Sequence, residues 1–268
     1  MKRYSILHPL YLSFFSRDLY RDVRTNWKGT GFLYLLLLLA ITWLPVMYKV
    51  HGGISEGVKQ EAPKYIEQVP KIEIVKGEVS VDRPVPYTII DPDSHTPLMV
   101  IDTSGTITSF EQTTASALLT KNKFMFQKQN KTETRIYDLS EISDFTVDRD
   151  RVSGWVEAFR KYFSIFAYPF ALTGSFAYRI LQMLLYAAIG MLFVKMVKTS
   201  LDYATVLRLA SVSITPVVIL STLRLLTGFH VPAFWLLCFV IAMGYLFFAI
   251  NANAAPVTPE ARAPGDGN

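Results

Sequence analysis

Between Lys28 and Lys49 the chain reads GFLYLLLLLAITWLPVMY from Gly31 to Tyr48, without one charged side chain. A helix rises about 1.5 Å per residue, so roughly 20 such residues cover the ~30 Å hydrocarbon core of a bilayer. No water-facing helix tolerates this stretch, and it reads as a membrane span over residues 30–49. The residues before it carry six Lys or Arg (Lys2, Arg3, Arg17, Arg21, Arg24, Lys28) against Asp18 and Asp22. By the positive-inside rule that end stays in the cytoplasm and the polar segment after the span is exported.

The rest of the composition supports a polytopic chain. Hydrophobic residues make up 51% of the 268 and fall in blocks. The net charge of +5 does not point to nucleic acid, because residues 49–161 hold 15 basic and 17 acidic groups; the excess lies next to the first span. There it faces anionic headgroups of the bilayer. The single cysteine, Cys238, lies in the last apolar block, so the exported segment holds together without a disulfide. A cleavable signal peptide is not expected: the apolar run starts late, is long, and offers Leu44, Pro45 and Val46 where small residues would be needed.

In order, residues 1–29 form a basic segment in which Leu12, Phe15, Leu19 and Val23 recur every three or four positions. That spacing predicts an amphipathic helix on the cytoplasmic leaflet, with Trp27 at headgroup level. After the first span, Val50 to about Glu67 is polar, contains Gly52, Gly53, Gly57 and Pro63, and reads as a linker with at most a short helix. Residues 50–154 as a whole predict an extracytoplasmic α+β domain. Alternating runs at Lys71–Val75, Glu78–Val81, Tyr87–Ile90, Leu98–Asp102, Ala117–Gln127 and Glu133–Tyr137 give an antiparallel sheet of about five strands, with a short helix expected at Thr108–Ser116. Trp155, Phe159, Tyr162 and Phe166 then mark an interfacial helix over 155–170, which Pro169 and Gly174 are expected to end. Three further spans follow at 175–195, 203–226 and 233–250, with Arg179 snorkelling to the outer interface and Lys195 and Lys198 inside. Residues 251–268, rich in Pro, Ala and Gly, read as a disordered cytoplasmic tail. The fold class is thus a membrane protein of four transmembrane helices with a small exported α+β domain between the first two, both termini in the cytoplasm.

Catalytic chemistry is not evident. No Gly-rich phosphate loop, nucleophile elbow or zinc-helix motif occurs. Asp91, Asp93 and His95 alternate as metal ligands would on a strand, but Pro92 and Pro97 favour a turn in which these side chains bond the local backbone. Asn130, Lys131 and Thr132 spell a glycosylation sequon that reads as chance in a bacterial-looking chain. No catalytic, metal or cofactor site is expected. The third span carries the more informative polar residues. On a helical wheel Arg208, Ser211, Thr215, Val218 and Thr222 fall within about 80° of one another, and Pro216 interrupts the helix beside them. Such a face either packs against neighbouring spans, expected to be the second and fourth, or lines a cavity for lipid or solute. Arg208 is expected to snorkel rather than to move charge.

The segments DPDSHTPLMVIDTSG (Asp91–Gly105) and SLDYATVLRLASVSITPVVIL (Ser200–Leu220), within this layout, resemble the bacterial membrane family called domain of unknown function 1189. That family looks related to the wider Yip1 group, whose shared signal is a polar helix start followed by Ser or Thr before Pro, here Ser213, Thr215 and Pro216. Some members are labelled as accessory to maltodextrin utilisation, and the resemblance brings no catalytic motif. The function expected is a non-enzymatic protein of the bacterial inner membrane whose exported domain docks or senses a partner, either another membrane protein or a second copy. The alternative is a small transporter or transporter accessory with a cavity lined by the third span.

Overall fold

The computed structural model describes residues 3–128 and 133–254. The sequon and most of the C-terminal segment lie outside them. Two compact units divide the chain: residues up to Val50 together with those from Ser164 onward, and His51–Phe163. Among the described residues four helices are long and apolar enough to cross a membrane, Thr30–Ile66, Arg149–Met196, Tyr203–Thr227 and Phe234–Asn251. A sheet-containing region lies between the first and second, as a membrane protein with an inserted domain requires.

The first unit is a helical bundle. A short helix α1 (Pro9–Leu12) precedes α2 (Arg17–Asn26), which Ser16 caps by accepting from the Leu19 N–H. The sequence periodicity of α2 alone predicts a helix lying on the leaflet. Instead Leu19, Tyr20 and Val23 are buried in the bundle core, while Phe15 stays outside it. Trp27, expected among headgroups, is also fully buried, and its indole donates to Asp22 at 3.0 Å. The reason lies in the far end of the chain. Arg21 Nε donates to the Ala252 carbonyl and Arg24 to that of Asn253, while Asn253 Nδ2 bonds the Tyr20 carbonyl. Guanidinium groups at a helix C-terminus satisfy orphan carbonyls and complement the negative end of the dipole.

The next helix, α3 (Thr30–Ile66), continues through the polar stretch read as a linker. Gly52, Gly53 and Gly57 in that stretch cost roughly 1 kcal/mol each relative to alanine, but the Glu, Lys, Gln and Ala residues around them are good helix formers. Side-chain bonds between Glu56 and Gln60 and between Glu61 and Lys64 add to this. Nor does Pro169 end the following long helix. It lies inside α4 (Arg149–Met196), which joins the expected interfacial helix and second span into one. Proline deprives the Ile165 carbonyl of one N–H, whereas unwinding an apolar segment would leave several groups unpaired. The aromatic stripe is exposed as its spacing implied: Trp155, Phe159, Tyr162 and Phe166 all face outward.

The third long helix is broken into α5 (Tyr203–Ser213) and α6 (Thr215–Thr227) at Ile214, beside the proline expected to bend it. At the far end Lys49 Nζ caps α6 by donating to the Leu225 and Leu226 carbonyls. The last helix is α7 (Phe234–Asn251). Gly190 on α4 permits a tight meeting of three helices, since a Cβ there would stand 2.7 Å from Val206 and 3.0 Å from Leu246.

Among its described residues the second unit holds eight strands in two sheets rather than one. Strands β1 (Ile72–Val75), β2 (Glu78–Val81) and β8 (Asp144–Val147) form an antiparallel sheet in the order β2-β1-β8. Strands β3 (Tyr87–Ile90), β4 (Pro97–Asp102), β5 (Ala117–Thr120), β6 (Lys123–Gln127) and β7 (Thr134–Asp138) form the other, in chain order. Lys76 and Gly77, both at positive φ, make the two-residue turn between β1 and β2. Gly77 is irreplaceable there, because a Cβ would stand 2.5 Å from the Ser140 Cα. Successive residues of the larger sheet point to opposite faces. Ile101 and Leu119 join Ile72, Ile74 and Val79 of the smaller sheet in one core, whereas Val100, Leu118 and Met125 pack beneath Ala115, Ile107 and Phe110 on the other face. The pair β4–β5 is parallel, contrary to the all-antiparallel expectation. Its crossover, residues 103–116, is irregular where a short helix was expected. Asp102, Gln112 and Thr113 take up its backbone N–H groups, as Asp, Ser and Thr do when they compete with helix formation.

Candidate functional site

The polar face of the third span resolves into separate contacts. Pro216 lacks the N–H that would bond the Val212 carbonyl. The Thr215 hydroxyl replaces it, donating to that carbonyl at 2.7 Å. With its only proton so used, Thr215 Oγ1 accepts from the Tyr34 hydroxyl, also at 2.7 Å. A buried relay therefore links α3 to the break between α5 and α6. Ser211, fully buried, faces Gly31 of the same helix α3, where a Cβ would stand 2.5 Å from its hydroxyl. Ser211 and Thr215 thus meet the first span, where the second and fourth were expected; Ser213 reaches the fourth, at the Tyr245 carbonyl. Gly31 and Tyr34 fall one turn apart and present a small residue and a donor where Ser211 and Thr215 need them.

The other two residues of the face stand apart. Thr222 is half-buried and bonds its own helix at the Val218 carbonyl. Arg208 turns back towards the start of α5, donating to Thr205, which in turn bonds Asp202. A hollow of about 210 Å³ remains beside Arg208 and Ser211, bordered by Lys28 and Phe32. Arg208, Ser211, Thr215, Pro216 and Thr222 therefore do not converge on a shared site.

The His95 turn is explained by its own backbone. Asp91 Oδ1 accepts from the N–H groups of Asp93 and Ser94, the Asp91 carbonyl accepts from the His95 N–H, and His95 takes a positive φ. The N–H of Asp93 and the hydroxyl of Ser94 hold the Asp91 carboxyl below its ordinary value. Among the described residues no three His, Cys, Asp or Glu side chains are grouped to hold a metal ion.

A larger concavity lies in the second unit and was missed in the sequence. It is a cleft of about 890 Å³ between the 103–116 crossover and one face of β5, β6 and β7. Its floor includes Met125 and Ile136, cross-strand partners on β6 and β7. Asp102, at the end of β4, fixes its wall. That carboxylate is buried and accepts from the Ser104 N–H and hydroxyl and from the Ile107 N–H. Burial alone would raise its pKa, but the Ser104 hydroxyl and the N–H groups of Ile107, Ser104 and Thr106 outweigh burial and hold it below the ordinary value.

The cleft opens along β7. All five residues of that strand are exposed, and it forms the edge of the sheet. Bonds from the Lys128 N–H to the Glu133 carbonyl and from the Leu139 N–H to the Asn122 carbonyl fix the alternation of the ladder. In that register Arg135 and Tyr137 bond β6, so the backbone groups of Thr134 and Ile136 point away from the sheet. The opposite edge differs, since the Gln68 side chain bonds both the N–H and the carbonyl of Ile90 on β3. β7 carries Arg135 and Asp138, the kind of charge that blunts edge strands, but Ile136 and Tyr137 between them are exposed. Its signal in the sequence is the alternation at Glu133–Tyr137; the parallel β4–β5 pair, which turns the crossover over one face, has no local signal.

Residues 7–250 match the model of a family described as protein of unknown function (DUF1189). Over 171 residues the chain is 24% identical to an uncharacterized protein of Rickettsia prowazekii (strain Madrid E). The alignment covers 60% of this chain and 59% of that protein, so less than two thirds of the relative's length is spanned. No solved structure matches.

Proposed function

The chain belongs to the DUF1189 family, and from that premise we propose that it is a non-enzymatic accessory protein of a bacterial inner-membrane complex, docking an extended segment of a partner polypeptide through its exported domain. The observation that carries this reading is the β7 edge. Outward-pointing backbone groups at Thr134 and Ile136 offer main-chain pairing, and the cleft behind Ile136 offers a pocket for alternate side chains of the added strand. Four spans with residues 51–163 on the far side, both termini in the cytoplasm and a place in the wider Yip1 group complete the proposal. The solute-cavity alternative loses ground because Ser211 and Thr215 are occupied by contacts with the first span.

The test is Ile136→Pro in the full chain, with a photo-crosslinker at Tyr137. Proline at 136 removes an N–H that faces away from β6 and so spares the ladder. The proposal expects one dominant crosslinked partner in native membranes, lost in Ile136→Pro while thermal melting is retained. Crosslinks to a second copy only, or a partner captured equally by the proline variant, would contradict it.

A further inference from the structure

At the end of the bundle where α6 closes and α7 begins, a second cavity of about 410 Å³ lies between α4, α6 and α7. Arg179, Arg224 and His230 line it, and so do the first residues of α7, Phe234 and Trp235. Among the described residues of this unit no carboxylate reaches them. From Ser164 to Ala254 the only acid is Asp202, which sits at the opposite end of α5–α6, and Asp18 and Asp22 belong to α2, which is fastened to the far end of α7. With a rise of about 1.5 Å per residue, the 18 residues of α7 hold those ends roughly 27 Å apart. Two guanidinium groups thus share a hollow lined mainly by apolar residues, without a counter-ion among the described residues of this unit. A charge so placed is costly unless it finds a partner.

The arginines are held in place. One arm of Arg179 donates to Gln182 Oε1 at 2.6 Å, and Gln182 is fixed in turn by donating to the Tyr186 hydroxyl at 2.7 Å. Arg224 lies 4.4 Å above the Phe234 ring. Lys49, the other cation at this end, is already engaged by the α6 carbonyls. α7 begins with no side-chain cap, which leaves its first N–H groups and the positive end of its dipole at the same hollow. Tyr178 and Trp235, which line the cavity, are also exposed, a composition suited to the membrane interface.

We propose that this cavity binds a phosphate-type oxyanion, held between Arg179 and Arg224 at the start of α7, as the headgroup phosphate of an anionic phospholipid would be. Forked guanidinium groups match phosphate oxygens, and helix N-termini favour the same ligand. Free phosphate shares that chemistry, while a zwitterionic headgroup would bring a choline cation against two arginines.

The experiment is native mass spectrometry of the full-length protein in detergent, offered phosphatidylglycerol, phosphatidylcholine or inorganic phosphate. One phosphatidylglycerol per chain is expected, preferred over phosphatidylcholine by about tenfold or more, with a similar loss of retention in Arg224→Gln and in Arg179→Gln. Lys198→Gln, remote from the cavity, should retain lipid as the natural chain does. Should Arg179→Gln fail to fold, Arg224→Gln and competition on the natural chain still decide. Binding of inorganic phosphate that displaces phosphatidylglycerol and needs Arg224 supports the oxyanion site with a soluble source. Equal retention of both lipids, or undiminished retention by a folded Arg224→Gln protein, would overturn the assignment.

Discussion

Thr215 shows how much one hydroxyl can decide. It donates to the carbonyl that Pro216 orphans and accepts from Tyr34, so the two partners are not equivalent. Thr215→Val keeps the shape but strands a buried carbonyl, which costs about 1–3 kcal/mol; Tyr34→Phe removes one neutral bond, worth about 0.5–1.5 kcal/mol. Melting in detergent should therefore rank Thr215→Val below Tyr34→Phe, and the reverse order would contradict the relay. The wheel made the polar face legible, along with the proline break. The second and fourth spans were expected as its partners, whereas Ser211 and Thr215 meet the first, because periodicity reports which side of a helix is polar and not what lies opposite. Asp102 carries a prediction of the opposite kind, tied to pH. Its folded pKa lies below that of an unfolded aspartate, near 3.9, so its contribution is present above about pH 4 and is lost as pH falls through the folded value. The acid-induced decline in melting temperature of the full chain below about pH 4 should be shallower in Asp102→Asn. An unchanged acid limb would mean that the crossover wall is held by other groups.

Among the elements, α2 departs furthest from its sequence reading. Its apolar stripe was visible at Leu19 and Val23, but a stripe facing lipid and one facing protein look alike in a single sequence. The distinction rests on Arg21 and Arg24 meeting carbonyls some 230 positions away. Replacing both by alanine should speed hydrogen exchange over residues 246–254 and loosen α2, with a loss of about 1 kcal/mol or more at low salt. Unchanged protection there would show that apolar packing alone holds the pair. The long helices α3 and α4 teach a related lesson. Gly52, Gly53, Pro63 and Pro169 are local helix breakers, and neighbouring turns override each of them. In the second unit the turn at Lys76 and Gly77 and most strands were legible. The division into two sheets was not, because β8 pairs with β1 across some 70 residues and leaves no local trace.

At the scale of the whole chain, four apolar helices and an inserted sheet region were readable from hydropathy and charge. The cavity lined by Arg179, Arg224 and His230 was not. They are dispersed in sequence, and the absence of acids around them gains meaning only once α4, α6 and α7 share one end. The account turns on which side of the membrane the inserted unit occupies, since partner docking at β7 requires it to be exported. Impermeant thiol labelling of intact bacterial cells tests this directly, using Cys238→Ala as the background and single cysteines at the exposed positions Ser94 and Ser200. Labelling is expected at position 94 in intact cells and at position 200 only after permeabilisation. Labelling at 200 but not 94 in intact cells would contradict it.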